Sequence, residues 1–196
     1  MIIGISGKSG SGKSLICRQL ENMGAYVIDA DVIGKNIMCG SVLDEVKSAF
    51  PDCFEHGELD RKKLASVVFN DDNKLTVLNS ITHPAIKREI ENKIKSAAND
   101  FRYIIVDAAV MVEAGMRDLF DFTVAVVAHD QVRKDRIIER DNISSELADA
   151  RISAQNPDSF YIENTDFYVT NNGDCSVMDI AENIIERSRM HEEKHS

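Results

Sequence analysis

Within eight residues, Gly7-Lys8-Ser9-Gly10-Ser11-Gly12-Lys13-Ser14 sets glycines, a lysine and hydroxyls in the pattern G-x-x-x-x-G-K-[ST]. This is the spacing of a phosphate-binding loop. Glycine lets successive backbone N–H groups curl around an anion where a side chain would block the curl. A helix starting at the end of the loop adds unpaired N–H groups and partial positive charge. Lys13 brings a full charge to the β- and γ-phosphates, and the Ser14 hydroxyl is placed for Mg²⁺. Gly7, Ser9, Gly10, Ser11, Gly12, Lys13 and Ser14 are thus candidate contacts for a nucleoside triphosphate.

Acidic and basic groups follow in a telling order. Ile28-Asp29-Ala30-Asp31 sets two carboxylates where an apolar run ends. A carboxylate beside the phosphates can take a proton from an attacking hydroxyl, which is typically worth about 10²–10⁴ in rate. On extended backbone the two would face opposite ways, so one faces the phosphates and the other caps the next helix. Caps for both is the competing reading. Tyr103-Ile104-Ile105-Val106-Asp107 ends an apolar run in an aspartate suited to organising Mg²⁺. Arg136 and Arg140 share a helical face before the polar break Asp141-Asn142, with Arg133, Lys134 and the more distant Arg151 nearby. Paired guanidinium groups at such a break suit a lid closing over phosphates, against the plainer reading of a solvated basic face. Asn171-Asn172-Gly173 makes a tight turn after the last apolar run, where Asn172 could meet a nucleotide base.

These groups need a scaffold. Apolar runs at 2–5, 26–28, 103–106, 122–127 and 167–169 read as buried strands, with helical patterns between most of them. Strands alternating with helices imply a parallel sheet covered on both faces, with ligands at the strands' carboxyl ends. Residues 1–30 and 101–196 are expected to form this core, with a lid at about 133–156. Between them, residues 31–100 hold no convincing strand. Helices are expected near 31–37, 42–50, 61–69, 74–81 and 84–98, the last with Pro84 in its first turn.

Composition narrows the classes. The chain has 196 residues, 43% hydrophobic and 29% charged, ordinary for a soluble globular protein. A net charge of −10 argues against nucleic acid as partner, while grouped basic residues still suit small anions. No apolar run approaches the roughly 20 residues of a membrane span, and the N-terminus reads as a strand rather than a signal peptide. Cys17, Cys39, Cys53 and Cys175 are scattered without metal-ligand spacing and fit reduced thiols in a cytoplasmic protein. Cys17 reads as core packing. His191 and His195 lie in a charged C-terminal stretch and read as solvated.

In this order the motifs resemble the dephospho-CoA kinase family over nearly the whole chain. The resemblance rests on Gly7–Ser14, Val27-Ile28-Asp29-Ala30-Asp31, and Gly57-Glu58-Leu59-Asp60-Arg61 with Leu64 and Val68-Phe69. It continues through Leu78-Asn79-Ser80-Ile81-Thr82-His83-Pro84-Ala85-Ile86, the Arg136/Arg140 pair, Ala150-Arg151-Ile152 with Gln155, and Asn171-Asn172-Gly173. It implies a P-loop kinase of α/β class, with a five-stranded parallel sheet, a helical substrate-binding insertion and a helical lid. The implied reaction is ATP-dependent phosphorylation of the ribose 3′-hydroxyl of dephospho-CoA, giving CoA and ADP, with Mg²⁺. Asp31 then lies at the reaction centre, and Arg61 and His83 join the acceptor pocket. Lys13 and Ser14 hold the donor and metal, and the lid brings Arg140 and Arg136 to the developing charge. A monomer or weak homo-oligomer is expected.

The sequence departs from the family pattern in places. Asp107-Ala108-Ala109-Val110-Met111-Val112-Glu113 stands where Asp-x-Pro-Leu-Leu-x-Glu is usual, and losing the proline at Ala109 loosens that turn. Leu15 replaces the common threonine, although its backbone N–H can still meet the α-phosphate. Lys35 stands where arginine or histidine is more usual. The rival readings are a nucleoside monophosphate kinase of the same fold, a GTP switch and a structural protein with an inactive loop. Against the switch, the only Asn-Lys pair, Asn73-Lys74, lacks the Asn-Lys-x-Asp of guanine recognition.

Overall fold

A computed structural model of the chain describes residues 1–109, 111–112 and 114–195, the Phe69 side chain excepted. The chain divides into two compact units, Met1–Asp29 with Ile94–Ser196, and Ala30–Lys93.

The larger unit is built on β1 (Ile2–Gly7), β2 (Tyr26–Asp29), β5 (Ile104–Asp107), β6 (Phe122–Val127) and β7 (Phe167–Thr170). These form one sheet in the order β2-β5-β1-β6-β7, with every neighbouring pair parallel. Beyond Ile2, the β-branched and aromatic residues of β1, β5 and β6 are buried on both faces, as a helix-covered parallel sheet requires. The winding reverses about β1, which puts the expected ligand crevice at its carboxyl end.

One face is covered by α1 (Lys13–Asn22) and α9 (Val177–His195). Ile16, Cys17 and Leu20 from α1 meet Ile180, Ala181, Ile184 and Ile185 from α9 over Ile3, Ile5 and Val124. Helical spacing of apolar residues produces both stripes. Helices α6 (Asp130–Asp141), α7 (Ser145–Ser153) and α8 (Asp158–Glu163) follow β6. Asn142 ends α6 in the left-handed region with φ 49°, and the Ser144 hydroxyl caps α7. The polar break expected there is thus a helix stop followed at once by a helix start.

The smaller unit contains α2 (Ala30–Ile37), α3 (Leu43–Ala49), a 3₁₀ turn at Pro51–Cys53, β3 (Phe54–Glu55), β4 (Glu58–Leu59), α4 (Arg61–Phe69) and most of α5 (Asp72–Ala97). Ile33, Ile37, Val46, Phe50, Cys53, Leu64 and Val68 are buried within it.

Two expectations for this region are corrected. It does contain strands: β3 and β4 pair antiparallel around His56 and Gly57, both at positive φ (52° and 89°). Two such residues are what a tight hairpin turn needs, but two-residue strands are too short to show alternation in sequence. The helices expected at 74–81 and 84–98 are a single α5, with Pro84 in its interior. Proline removes one donor and crowds the preceding turn. In that turn the Ser80 and Thr82 hydroxyls bond the carbonyls of Val77 and Leu78 (2.7 and 3.0 Å). The helical pattern on either side carries the helix through.

Candidate active site

β1 ends at Gly7 and α1 begins at Lys13, so the glycine motif spans the loop at the central strand's carboxyl end. Gly10 and Gly12 have φ of 80° and 86°, the left-handed region where L side chains are strained. A Cβ at Gly10 would lie 2.6 Å from the Arg133 carbonyl oxygen, and one at Gly12 would collide with the Asn171 amide. No side chain caps α1. The N–H groups of Gly10, Gly12 and Ser14 meet no acceptor among the described residues. The Ser11 hydroxyl is buried and likewise lacks a protein partner. A curled loop with unpaired donors at a helix start fits a phosphate chain.

Around it stand the charged groups. Lys13 forms an ion pair with Asp107, the last residue of β5, and both side chains are largely buried. Asp29, the last residue of β2, is in register with Asp107. The Ser14 side chain is exposed in the first turn of α1.

The α6 arginines have separate tasks. Arg133 is fully buried. Its Nε donates to the Ser9 carbonyl (3.0 Å), its Nη1 to Asp130 (2.7 Å) and its Nη2 to Gln155 Oε1 (2.8 Å). Half-buried Arg136 donates from Nη1 to the Asn171 carbonyl at 2.9 Å, with the Gly10 and Ser11 carbonyls at 3.3 and 3.4 Å. Arg140 forms two 2.8 Å hydrogen bonds with Asp141 and lies 3.4 Å from the Ser9 hydroxyl. Arg151 pairs with the same aspartate. The Arg140 guanidinium, joined by Arg151, holds the Asp141 carboxyl down at about 2. The same pairing raises Arg140 above its usual range.

Beyond β7, buried Asn171 donates to the Ser11 carbonyl at 2.9 Å, fixing the loop from the far side of β6. Asn172 accepts from the His129 N–H at 2.9 Å through its side-chain oxygen.

The remaining candidates belong to the smaller unit. α2 starts at Ala30, so Asp31 is exposed in a first helical turn rather than on extended backbone. The expectation that Asp29 and Asp31 alternate along one strand is therefore corrected, because the strand ends at Asp29. Arg61 opens α4 and donates from Nη2 to the Lys35 carbonyl and Cys39 sulfur, each at 3.0 Å. His83 is half-buried in α5, and burial lowers its pKa, keeping the imidazole neutral near pH 7. Burial pushes the Cys17 thiol up to about 12, in keeping with core packing rather than reactivity. Ala109 is described, whereas Val110 and Glu113 lie outside the described residues.

Sequence reasoning did not single out Asp130 or Asp158, and gave Lys8, Asn171, Arg133 and Gln155 no part in shaping the loop. Lys8 is buried, with Asp158 at 2.6 Å and Asp130 at 3.9 Å. The spacing of Arg133, Arg136 and Arg140 on one α6 face was a usable signal. Their partners, far apart in the chain, were not readable.

A five-stranded parallel sheet carrying a glycine loop, a lysine at the following helix and a strand-end aspartate defines a P-loop kinase. Residues 1–176 match the family model for dephospho-CoA kinase, and the chain belongs to that family. Dephospho-CoA kinase from Corynebacterium diphtheriae is 37% identical over 183 residues, which cover 91% of this chain and 92% of that one. The crystal structure of TT1252 from Thermus thermophilus superposes with a TM-score of 0.85 at 27% identity, over 95% of this chain and 96% of that one. Dephospho-CoA kinase from Campylobacter jejuni shares the fold at a TM-score of 0.69 and 22% identity, over 94% and 95% of the two chains.

Proposed function

We infer that the chain transfers the γ-phosphoryl group of ATP to the 3′-hydroxyl of dephospho-CoA, giving CoA and ADP, the final step of CoA biosynthesis. The observation that carries this reading is the family match over residues 1–176, because it reaches the acceptor as well as the donor. The glycine loop with its unpaired N–H groups supports the donor half.

The residues are assigned as follows. ATP lies along Gly7–Leu15, with backbone N–H groups of the loop on its phosphates. Lys13 exchanges Asp107 for the β/γ oxygens. Ser14 and Asp107 are hard oxygen donors of the kind Mg²⁺ takes alongside nucleotide phosphates. The ion would neutralise charge on the β- and γ-phosphates. Asp31 accepts the proton as the 3′-oxygen bonds to the γ-phosphorus and the β–γ bridge breaks. The rest of the smaller unit, with Arg61 and His83, holds the CoA side. Residues 133–156 act as the lid, delivering Arg140 and Arg136 to the developing charge. Asn172 borders the base. Phosphoryl transfer needs mainly positioning and electrostatics, and this set supplies both.

No helix among the described residues is long and apolar enough to cross a membrane. Four free cysteines, two of them exposed, favour a reducing cytoplasm as the site of action. The acceptor is tested by following ADP release from ATP·Mg²⁺ with dephospho-CoA or with a panel of nucleoside monophosphates. Release with dephospho-CoA alone is expected; release only with the panel would overturn the assignment.

A further inference from the structure

The first half of the glycine loop is held from outside. Ser9 donates its backbone N–H to Gln155 Oε1 at 3.1 Å, and its carbonyl accepts from Arg133 Nε at 3.0 Å. The same Gln155 oxygen accepts from Arg133 Nη2 at 2.8 Å, which closes a ring of three hydrogen bonds across the two peptide units that flank Ser9. Arg133 has no exposed surface, and its third nitrogen is on Asp130 at 2.7 Å. It therefore has no arm for a phosphate. Its backbone lies against Gly10, where an added Cβ would be 2.6 Å from the Arg133 carbonyl. One residue earlier, Lys8 extends to Asp158 at 2.6 Å, with Asp130 at 3.9 Å. Lys8 and Ser9 are thus committed to α6, α8 and the segment joining α7 to α8, while Gly10, Gly12 and Ser14 keep N–H groups without acceptors among the described residues.

We propose that Arg133 and Gln155 are positioning residues for phosphoryl transfer, acting through the Ser9 backbone to fix the curl of the glycine loop. The proposal rests on ATP being held by that loop, as set out above. A preorganised ring of donors costs no rearrangement when the charged phosphates arrive. Released from Gln155 and Arg133, the peptide planes on either side of Ser9 can rotate, and the Gly10 N–H, which shares a plane with the Ser9 carbonyl, turns with them. Gln155 lies at the end of the proposed lid, so the lid and the donor site share one hydrogen-bonded group.

Gln155→Leu removes the acceptor and leaves two donors buried without it, whereas Gln155→Glu keeps it. Calorimetric titration with ATP·Mg²⁺, without acceptor, is expected to show Gln155→Leu binding about tenfold or more weakly. Gln155→Glu should recover most of that loss. In steady-state assays the KM for ATP should rise while the KM for the acceptor stays within about twofold. A purely structural role would lower melting temperature and active fraction and leave the KM for ATP unchanged. Hydrogen exchange on the wild-type chain gives a measurement that does not depend on a variant folding. The Ser9 amide should be protected without nucleotide, and the Gly10 and Gly12 amides only with ATP. Ser9 exchanging as fast as Gly10 without nucleotide, or Gln155→Leu binding ATP like wild type, would overturn the proposal. A wild-type chain without ATP affinity would overturn the functional reading on which it rests.

Discussion

Lys13 and Asp107 neutralise each other at the carboxyl edge of the sheet, so on the proposed assignment an incoming triphosphate competes with a carboxylate for one ammonium. Binding does not create this positive charge but redirects it. Lys13→Met removes the charge and is expected to lower kcat about 10²–10³-fold, near the loss of a single transition-state donor. Asp31→Asn keeps the shape and removes the proposed base. Its kcat should fall about 10²–10⁴-fold with the KM for ATP nearly unchanged, read from initial rates at varied ATP. A normal kcat in Asp31→Asn would remove that residue from the proton step. These residues stood out as candidates because they fall within or beside recognisable motifs. Arg133 and Gln155 were not given their role, because each bonds a backbone atom over a hundred residues away.

At the scale of elements, the polar break after α6 is an electrostatic knot. Asp141 holds Arg140 and Arg151 together, and Arg140 reaches the Ser9 hydroxyl. The Asp141 carboxyl sits at about 2, below its usual 3.8, chiefly through Arg140. Its stabilising contribution is therefore complete above 3.8 and fades as pH falls through about 2. Asp141→Asn should be less stable than wild type at neutral pH, and the gap in melting temperature should close between pH 4 and pH 2 as measured by circular dichroism. In the smaller unit, Asp60 caps α4 by accepting from the N–H groups of Lys62 and Lys63 at 2.9 and 3.0 Å. Asp60→Ala is expected to cost about 1 kcal/mol, a fall of roughly 2–4 °C in a thermal melt. The sequence pattern located α4 within a residue. It hid the β3–β4 hairpin, whose strands lack length for periodicity, and it split α5 at Pro84 by reading proline as the first turn of a new helix. Neighbouring turns outweigh one lost hydrogen bond.

At the scale of the molecule, alternating strand and helix patterns were enough to read a parallel sheet, and the glycine loop follows the carboxyl end of its central strand. Strand order was less legible. Only the folded chain shows β5 between β2 and β1, which aligns Asp107 with Asp29 and brings it to Lys13. The most direct test of the account is to incubate the chain with ATP·Mg²⁺ and dephospho-CoA and to identify the products by phosphorus NMR and mass. One ADP for each CoA, with the new phosphate as a monoester on the ribose 3′-oxygen, is the predicted result. ADP without CoA, or a phosphate at another position, would contradict it.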